Sequence, residues 1–179
     1  MRKLTHSEIL QERLNPEQAL NIERSPISIL LYNVRSLYNV GSVFRTADAA
    51  LAQELILCGF TPHPPRKEIE KTALGAVDSV PWNYFKKTED AVSYLKSKKI
   101  KLIALELTEK KRKYDSLEIS DFPMCLLVGN ELSGLDNSIL ELCDDAIEIP
   151  MLGTKHSLNV SVVTGIALFE ALRIWKLNN

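Results

Sequence analysis

Short, almost uninterrupted apolar runs recur along this chain with helical patterns between them, and few folds accommodate that arrangement. Pro26–Asn33, Glu54–Cys58, Lys101–Leu105 and Met124–Val128 lack the polar alternation of a half-solvated strand. Each reads as a strand buried on both faces, and Ala146–Pro150 as a shorter one. Asn39–Ala50, Thr88–Lys98 and Asn159–Lys176 carry helical spacing. Buried strands separated by helices imply βαβ units in a mostly parallel sheet. Neither an internal repeat nor a long linker divides the 179 residues. The expectation is one α/β domain over 26–179, preceded by a polar helical arm over 1–25 that Asn15-Pro16 and Ser25-Pro26 punctuate.

Charge narrows function only by what it withholds. The chain holds 22 Lys+Arg against 23 Asp+Glu, a net charge of −1, so no bulk positive field points to nucleic acid and only a local basic patch would serve. A 45% hydrophobic content excludes intrinsic disorder. No run approaches the roughly 18 apolar residues of a membrane span. Polar residues follow the basic Met1-Arg2-Lys3 start, where a secretory signal would place an apolar stretch. Cys58, Cys125 and Cys143 form no C-x-x-C pair, and His6, His63 and His156 stand far apart. Neither a disulfide scaffold nor a metal site is expected. The chain reads as soluble and cytoplasmic.

The glycines exclude several chemistries. No two of the seven are separated by a single residue, so the G-x-G-x-x-G dinucleotide fingerprint is absent. Gly129-Asn130-Glu131-Leu132-Ser133-Gly134 has the spacing of a P-loop, but Leu135-Asp136 follows where Lys-Ser/Thr would hold phosphate. There is no G-x-S-x-G elbow. What remains are the loops after the Met124–Val128 and Ala146–Pro150 strands, since open α/β sheets bind ligands at the carboxyl ends of their strands.

Three segments, in this order, carry a resemblance: Asn33-Val34-Arg35-Ser36-Leu37-Tyr38-Asn39-Val40-Gly41-Ser42-Val43-Phe44-Arg45-Thr46-Ala47-Asp48-Ala49, then Leu127-Val128-Gly129-Asn130-Glu131-Leu132-Ser133-Gly134-Leu135, then Ile149-Pro150-Met151 with Ser157-Leu158-Asn159-Val160-Ser161-Val162. They resemble motifs 1, 2 and 3 of the SpoU (TrmH-type) RNA 2′-O-ribose methyltransferases of the SPOUT class, and Thr72-Ala73-Leu74-Gly75-Ala76 fits that family's middle region. The resemblance runs from about Ile27 to Trp175. It implies a Rossmann-like parallel sheet with a C-terminal trefoil knot, a feature that periodicity alone would never suggest. It also implies S-adenosylmethionine as methyl donor, S-adenosylhomocysteine as product, and a homodimer packed through the knot and the last helix, without membrane or metal.

The resemblance also assigns residues. Asn39, Arg45, Glu131, Ser157 and Asn159 fall at catalytic positions. Leu105, Gly129, Ile149, Met151 and Leu158 fall where the family's cofactor loops lie. A guanidinium stays protonated in proteins, so Arg45 reads as a phosphate ligand and oxyanion stabiliser and not as a base. Plain structural roles compete: Asn39 as cap of its helix, Ser157 and Asn159 as caps of the last one, Glu131 as acceptor for nearby backbone N–H groups. The run Lys110-Lys111-Arg112-Lys113, together with Arg35, is a candidate phosphate contact. The final helix carries an apolar stripe of Val160, Val163, Ala167, Leu168, Ala171, Leu172 and Trp175. Its breadth, ending in Phe169 and Trp175, suggests that part of it faces a partner subunit. The expected reaction is methylation of a ribose 2′-hydroxyl, with tRNA ahead of rRNA because the short arm is the only extension. A SPOUT base methyltransferase and a catalytically inactive RNA-binding dimer are the alternatives.

Overall fold

The protein is described by a computed structural model that covers all residues except Glu12 and Lys111. Six parallel strands form one sheet: β1 (Ile27–Tyr32), β2 (Leu55–Cys58), β3 (Trp82–Phe85), β4 (Lys101–Leu105), β5 (Met124–Val128) and β6 (Asp145–Ile147), in the order β3-β2-β1-β5-β4-β6. The helices are α1 (His6–Gln11), α2 (Pro16–Asn21), α3 (Leu37–Ala49), α4 (Lys67–Ala73), α5 (Ala76–Ser79), α6 (Thr88–Ser97), α7 (Asn137–Leu140) and α8 (Val160–Leu177). Strands β1 and β5 lie at the centre with every residue buried, which is why they read as unbroken apolar runs.

Strand alternation divides the core. Ile27, Ile29 and Leu31 of β1 face a layer containing α3, α4 and α8, with Phe44 fully buried in it. Leu30 and Tyr32 face the opposite layer with α6 and α7. Chain direction and order put the ends of β1, β5, β4 and β6 at one edge, where the strand order reverses between β1 and β5. Such a reversal opens a crevice in a parallel sheet.

Gly41 sets how closely α4 approaches α3. A Cβ there would stand 2.2 Å from the Ile69 carbonyl oxygen, a backbone atom that a side-chain rotation cannot clear. Trp82 packs edge-on against Phe44 with ring centroids 6.3 Å apart.

Two elements differ from the sequence reading. Strand β3 was hidden in an aromatic and polar tetrapeptide, because an edge strand with partly exposed residues has no apolar run to display. Strand β6 ends at Ile147, short of Pro150. Glu148 instead accepts from Tyr114 N and donates its own N–H to Arg112 O, turning the chain away from the sheet. Ile149 and Met151 are thereby released to line a cleft. No helix among the described residues is long and apolar enough to cross a membrane.

Candidate active site

The loop after β1 enters α3 through Ser36, whose hydroxyl caps the helix by accepting from Asn39 N at 3.2 Å. Asn39 is therefore the third helical residue and not the cap, and its side chain is free for other work. The loop after β5 carries Glu131 to meet it. Glu131 accepts from Arg35 N (2.9 Å), Ser36 N (3.0 Å) and Asn39 Nδ2 (3.1 Å). Asn39 Oδ1 in turn accepts from Asn159 Nδ2 at 3.1 Å, and Asn159 Oδ1 caps α8 by accepting from Ser161 N at 2.9 Å.

Residues that lie 120 positions apart in sequence thus form one hydrogen-bonded chain, and capping and site roles coexist in Asn159. Partial burial raises the Glu131 pKa, but the N–H groups of Arg35 and Ser36 and the Asn39 amide outweigh it and hold the carboxyl below its ordinary value. A carboxylate with three donors aimed at it is held in its charged form and fixes the orientation of the groups that donate to it.

Beside this chain the loops after β4, β5 and β6 enclose a cleft of about 260 Å³. Leu105, Gly129, Ile149, Met151 and Leu158 all line it, as do Glu131 and Ser157. The loop after β5 closes on itself: Asn130 N donates to Gly134 O at 3.0 Å and Gly134 N to Asn130 O at 2.9 Å. A Cβ on Gly129 would lie 2.2 Å from the Gly134 carbonyl carbon, so no larger residue fits that crossing.

Sequence reasoning missed Glu106, whose carboxylate accepts from Leu135 N (3.0 Å) and Leu107 N (3.0 Å) and ties two cleft loops together. Its only signal was its place immediately after a buried strand. His156, which had no assignment, also lines the cleft.

Arg45 lies six residues beyond Asn39 on α3, about 9 Å along the helix axis. Its side chain is exposed, with no ion pair or hydrogen bond among the described residues. Arg35 is likewise exposed, and only its backbone N–H is engaged, by Glu131.

The basic run requires a correction. Arg112 is locked within the fold: its guanidinium bonds Asp121 at 2.6 Å, pairs with Asp145, and donates to Ser116 O at 3.0 Å. These partners saturate it, so it is a structural cation. Lys110 and Lys113 remain exposed, and Lys111 lies outside the described residues. The expected stripe on α8 also shifts. Trp175 packs on Phe122 at 5.6 Å, whereas Val162, Ile166 and Phe169 form a separate exposed row.

With this geometry in hand, comparison with known proteins is decisive about ancestry. The family model described as the SpoU rRNA Methylase family matches residues 26–169. The chain belongs to that family.

Among its SpoU relatives is the 23S rRNA (guanosine-2′-O-)-methyltransferase RlmB of Ralstonia nicotianae, 33% identical over 170 residues, which are 93% of this chain and 67% of the relative. The tRNA (guanosine(18)-2′-O)-methyltransferase of Aquifex aeolicus is 30% identical over 92% of this chain and 78% of its own length. The chain also resembles the crystal structure of AdoMet-bound rRNA methyltransferase from Sinorhizobium meliloti, with a TM-score of 0.79 and 32% identity over 87% of this chain and 59% of that one. The chain therefore spans about three fifths to four fifths of the length of these SpoU proteins. The Rossmann-like parallel sheet is that of the SpoU methyltransferases.

The cleft fits an S-adenosylmethionine molecule by its own composition. Leu105, Ile149, Leu158 and Val163 would offer apolar surface to a flat purine, and the loop backbones after three strands would offer N–H and C=O groups to its edges. Glu106, Glu131 and Glu148 are among the residues lining the same cleft, and their negative charge would suit a sulfonium cation. Among the described residues no group of three His, Cys, Asp or Glu side chains could hold a metal ion.

Proposed function

We propose that the protein methylates a ribose 2′-hydroxyl in RNA, using S-adenosylmethionine held in the cleft between the loops after β4, β5 and β6. The observation that carries this reading is the Glu131–Asn39–Asn159 chain at the edge of that cleft. It presents oriented amides where an acceptor hydroxyl must be aligned. The bound cofactor would supply an electrophilic methyl group on a sulfonium: its C–S bond breaks as the O–C bond forms, S-adenosylhomocysteine leaves as a neutral thioether, and the hydroxyl proton passes to solvent water. The protein's task is then alignment, which is worth up to roughly 7–11 kcal/mol of barrier.

Gly129, Ile149, Met151 and Leu158 hold the purine end, Leu105 closes the apolar wall, and Glu131 fixes Asn39. Ser157, Asn39 and Asn159 orient the ribose. Arg45, with no partner of its own among the described residues, binds the adjoining phosphate and stabilises negative charge developing on the 2′-oxygen. A 2′-hydroxyl acceptor restricts the substrate to RNA. Curated relatives named for tRNA and for rRNA support an RNA substrate equally, and the labelled RNA fraction decides between them.

The same reading takes the 148–159 segment as threaded into a trefoil knot. Support comes from its course, which leaves edge strand β6 and returns to α8 packed against α3, β1 and β5 at the sheet centre. The exposed Val162, Ile166 and Phe169 row supports a homodimer formed through α8. The same reading takes the enzyme to be cytoplasmic, in keeping with its bacterial RNA methyltransferase relatives.

The test is incubation with methyl-labelled S-adenosylmethionine and separate undermodified tRNA and rRNA fractions, followed by alkaline hydrolysis. Label in an alkali-stable dinucleotide is expected. Label in mononucleotides would identify a base methyltransferase, and no label in either fraction would leave an RNA-binding protein without this activity.

A further inference from the structure

Phe60 is 61% exposed, yet it stands in a turn held by hydrogen bonds on both sides. Its own N–H donates to Asn33 Oδ1 at 3.1 Å. On one side, Gly59 N donates to Phe85 O at 3.1 Å and Gly59 O accepts from the Tyr84 hydroxyl at 2.7 Å. On the other, the buried Thr61 hydroxyl donates to Leu31 O at 3.0 Å and accepts from Val34 N at 3.0 Å.

The turn is also wired to the candidate active site. Asn33 O accepts from Asn130 Nδ2 at 2.7 Å, and Asn130 is the neighbour of Glu131. Strands β1, β2 and β5 are parallel, so Phe60, Asn33 and Glu131 all lie at the edge where the strands end. Relative to β1, Phe60 lies on the β2 side and the cofactor cleft on the opposite side. Arg35 stands exposed on the loop between them, and Arg66, Lys86 and Lys87 are exposed on the loops after β2 and β3; none has an ion-pair partner among the described residues.

A rigidly presented aromatic face among unpaired cations matches the chemistry of an unstacked RNA base and its phosphate. Single-stranded RNA is held by stacking on aromatic rings with Arg and Lys tracking the backbone. Building on the methyl-transfer reading above, we infer that Phe60 is a stacking platform for an RNA base flanking the target nucleotide, and that Arg35 holds the phosphate between them. With Arg112 committed to the fold, cations on this side of the site replace it in gripping RNA.

The experiment measures binding of two fluorescein-labelled probes, a single-stranded RNA decamer and a decamer of abasic ribose-phosphate units, to the full chain over a range of salt. Phe60→Ala is expected to weaken the RNA decamer about 5- to 150-fold, the range seen for one stacked base. It should change abasic binding less than about twofold, because phosphate contacts remain. Phe60→Tyr should restore RNA affinity, and Arg35→Ala should reduce the salt slope by about 0.7 for both probes. Because the ring is exposed, the melting temperature of Phe60→Ala should match the parent. Equal affinity of Phe60→Ala and parent for the RNA decamer, or equal weakening for both probes, would overturn the platform. If the parent still methylates ribose, that result removes the platform alone. A parent that neither binds nor methylates RNA removes both readings.

Discussion

Asn39 Nδ2 donates to Glu131 across 3.1 Å, and this bond dictates which way the Asn39 amide faces. A carboxylate only accepts, so the amide must turn its NH2 towards Glu131 and its oxygen towards Asn159. The far end is fixed by the same logic, because Asn159 Oδ1 accepts from Ser161 N and its NH2 must therefore face Asn39. The polarity of the chain is set at both ends by groups that cannot reverse role.

Replacing Glu131 by Gln removes that polarity. One face of the new amide carries donors opposed to the N–H groups of Arg35 or Ser36, or to Asn39. The rate of methyl transfer should fall about 5- to 150-fold, the equivalent of 1–3 kcal/mol for an unsatisfied buried group. The pH profile gives a second readout. The folded pKa of Glu131 lies below its ordinary 4.5, so its bonds are fully present above that value and are lost only as pH falls through the lower one. The parent should show no acid limb above about pH 5 attributable to Glu131. A limb near neutrality that disappears in Glu131→Gln would make Glu131 a titrating base and refute the positioning role.

Arg45 is exposed and unpaired among the described residues, so its removal should leave stability within about 0.5 kcal/mol. Loss of a donor to a developing oxyanion typically costs 10²–10³ in kcat, and Arg45→Ala should lose about 100-fold. Arg45→Lys should recover only part of it, because an ammonium cannot hold phosphate and oxyanion with one planar fork. Single-turnover rates and melting curves on the same preparations check both statements.

Gly129→Ala places a methyl group 2.2 Å from the Gly134 carbonyl carbon. The loop after β5 must open, at a cost of about 1–3 kcal/mol. Calorimetric titration with S-adenosylmethionine should show affinity falling about tenfold or more, while Gly153→Ala, with open space at its Cβ, should bind as the parent does.

Asp121 is buried between Lys101 and Arg112. Burial pushes its pKa up, but the bonds from Arg112, Lys101 and the Glu118 N–H prevail and bring it from 3.8 to about 2. A depressed carboxyl contributes stability above its unfolded pKa and loses it as pH falls through the folded one. Asp121→Asn should therefore cost ~2 kcal/mol at neutral pH in denaturant titrations. The difference from the parent should shrink as pH falls from about 4 to 2. Arg112→Ala should destabilise similarly without changing the salt slope of RNA binding.

Much of this architecture was legible because burial on both faces leaves a direct mark. Strands β4 and β5 lie where their apolar runs placed them, and α3 and α8 differ from expectation by two residues or fewer. Strand β3 left no such mark, since its residues are partly solvated. The site was legible as motif spacing but not as connectivity. Sequence spacing alone does not show that Asn39 sits inside its helix, that Ser36 takes over the cap, or that Glu131 reaches across to a different strand's loop. The basic run misled for a related reason: charge density does not reveal that Asp121 and Asp145 come from other segments to neutralise Arg112. Glu106 and His156 enter the cleft only through tertiary folding.

If Asn39 acts in transfer to ribose and not merely in folding, its loss must show in the rate of methylation. The most direct measurement is the single-turnover rate of label appearing in alkali-stable dinucleotides, for the parent and for Asn39→Ala, with cofactor affinity determined alongside. The predicted result is ribose labelling by the parent, a loss of about tenfold or more in Asn39→Ala, and cofactor binding within about threefold of the parent. Parent label confined to mononucleotides, or an Asn39→Ala rate equal to the parent's, would contradict it.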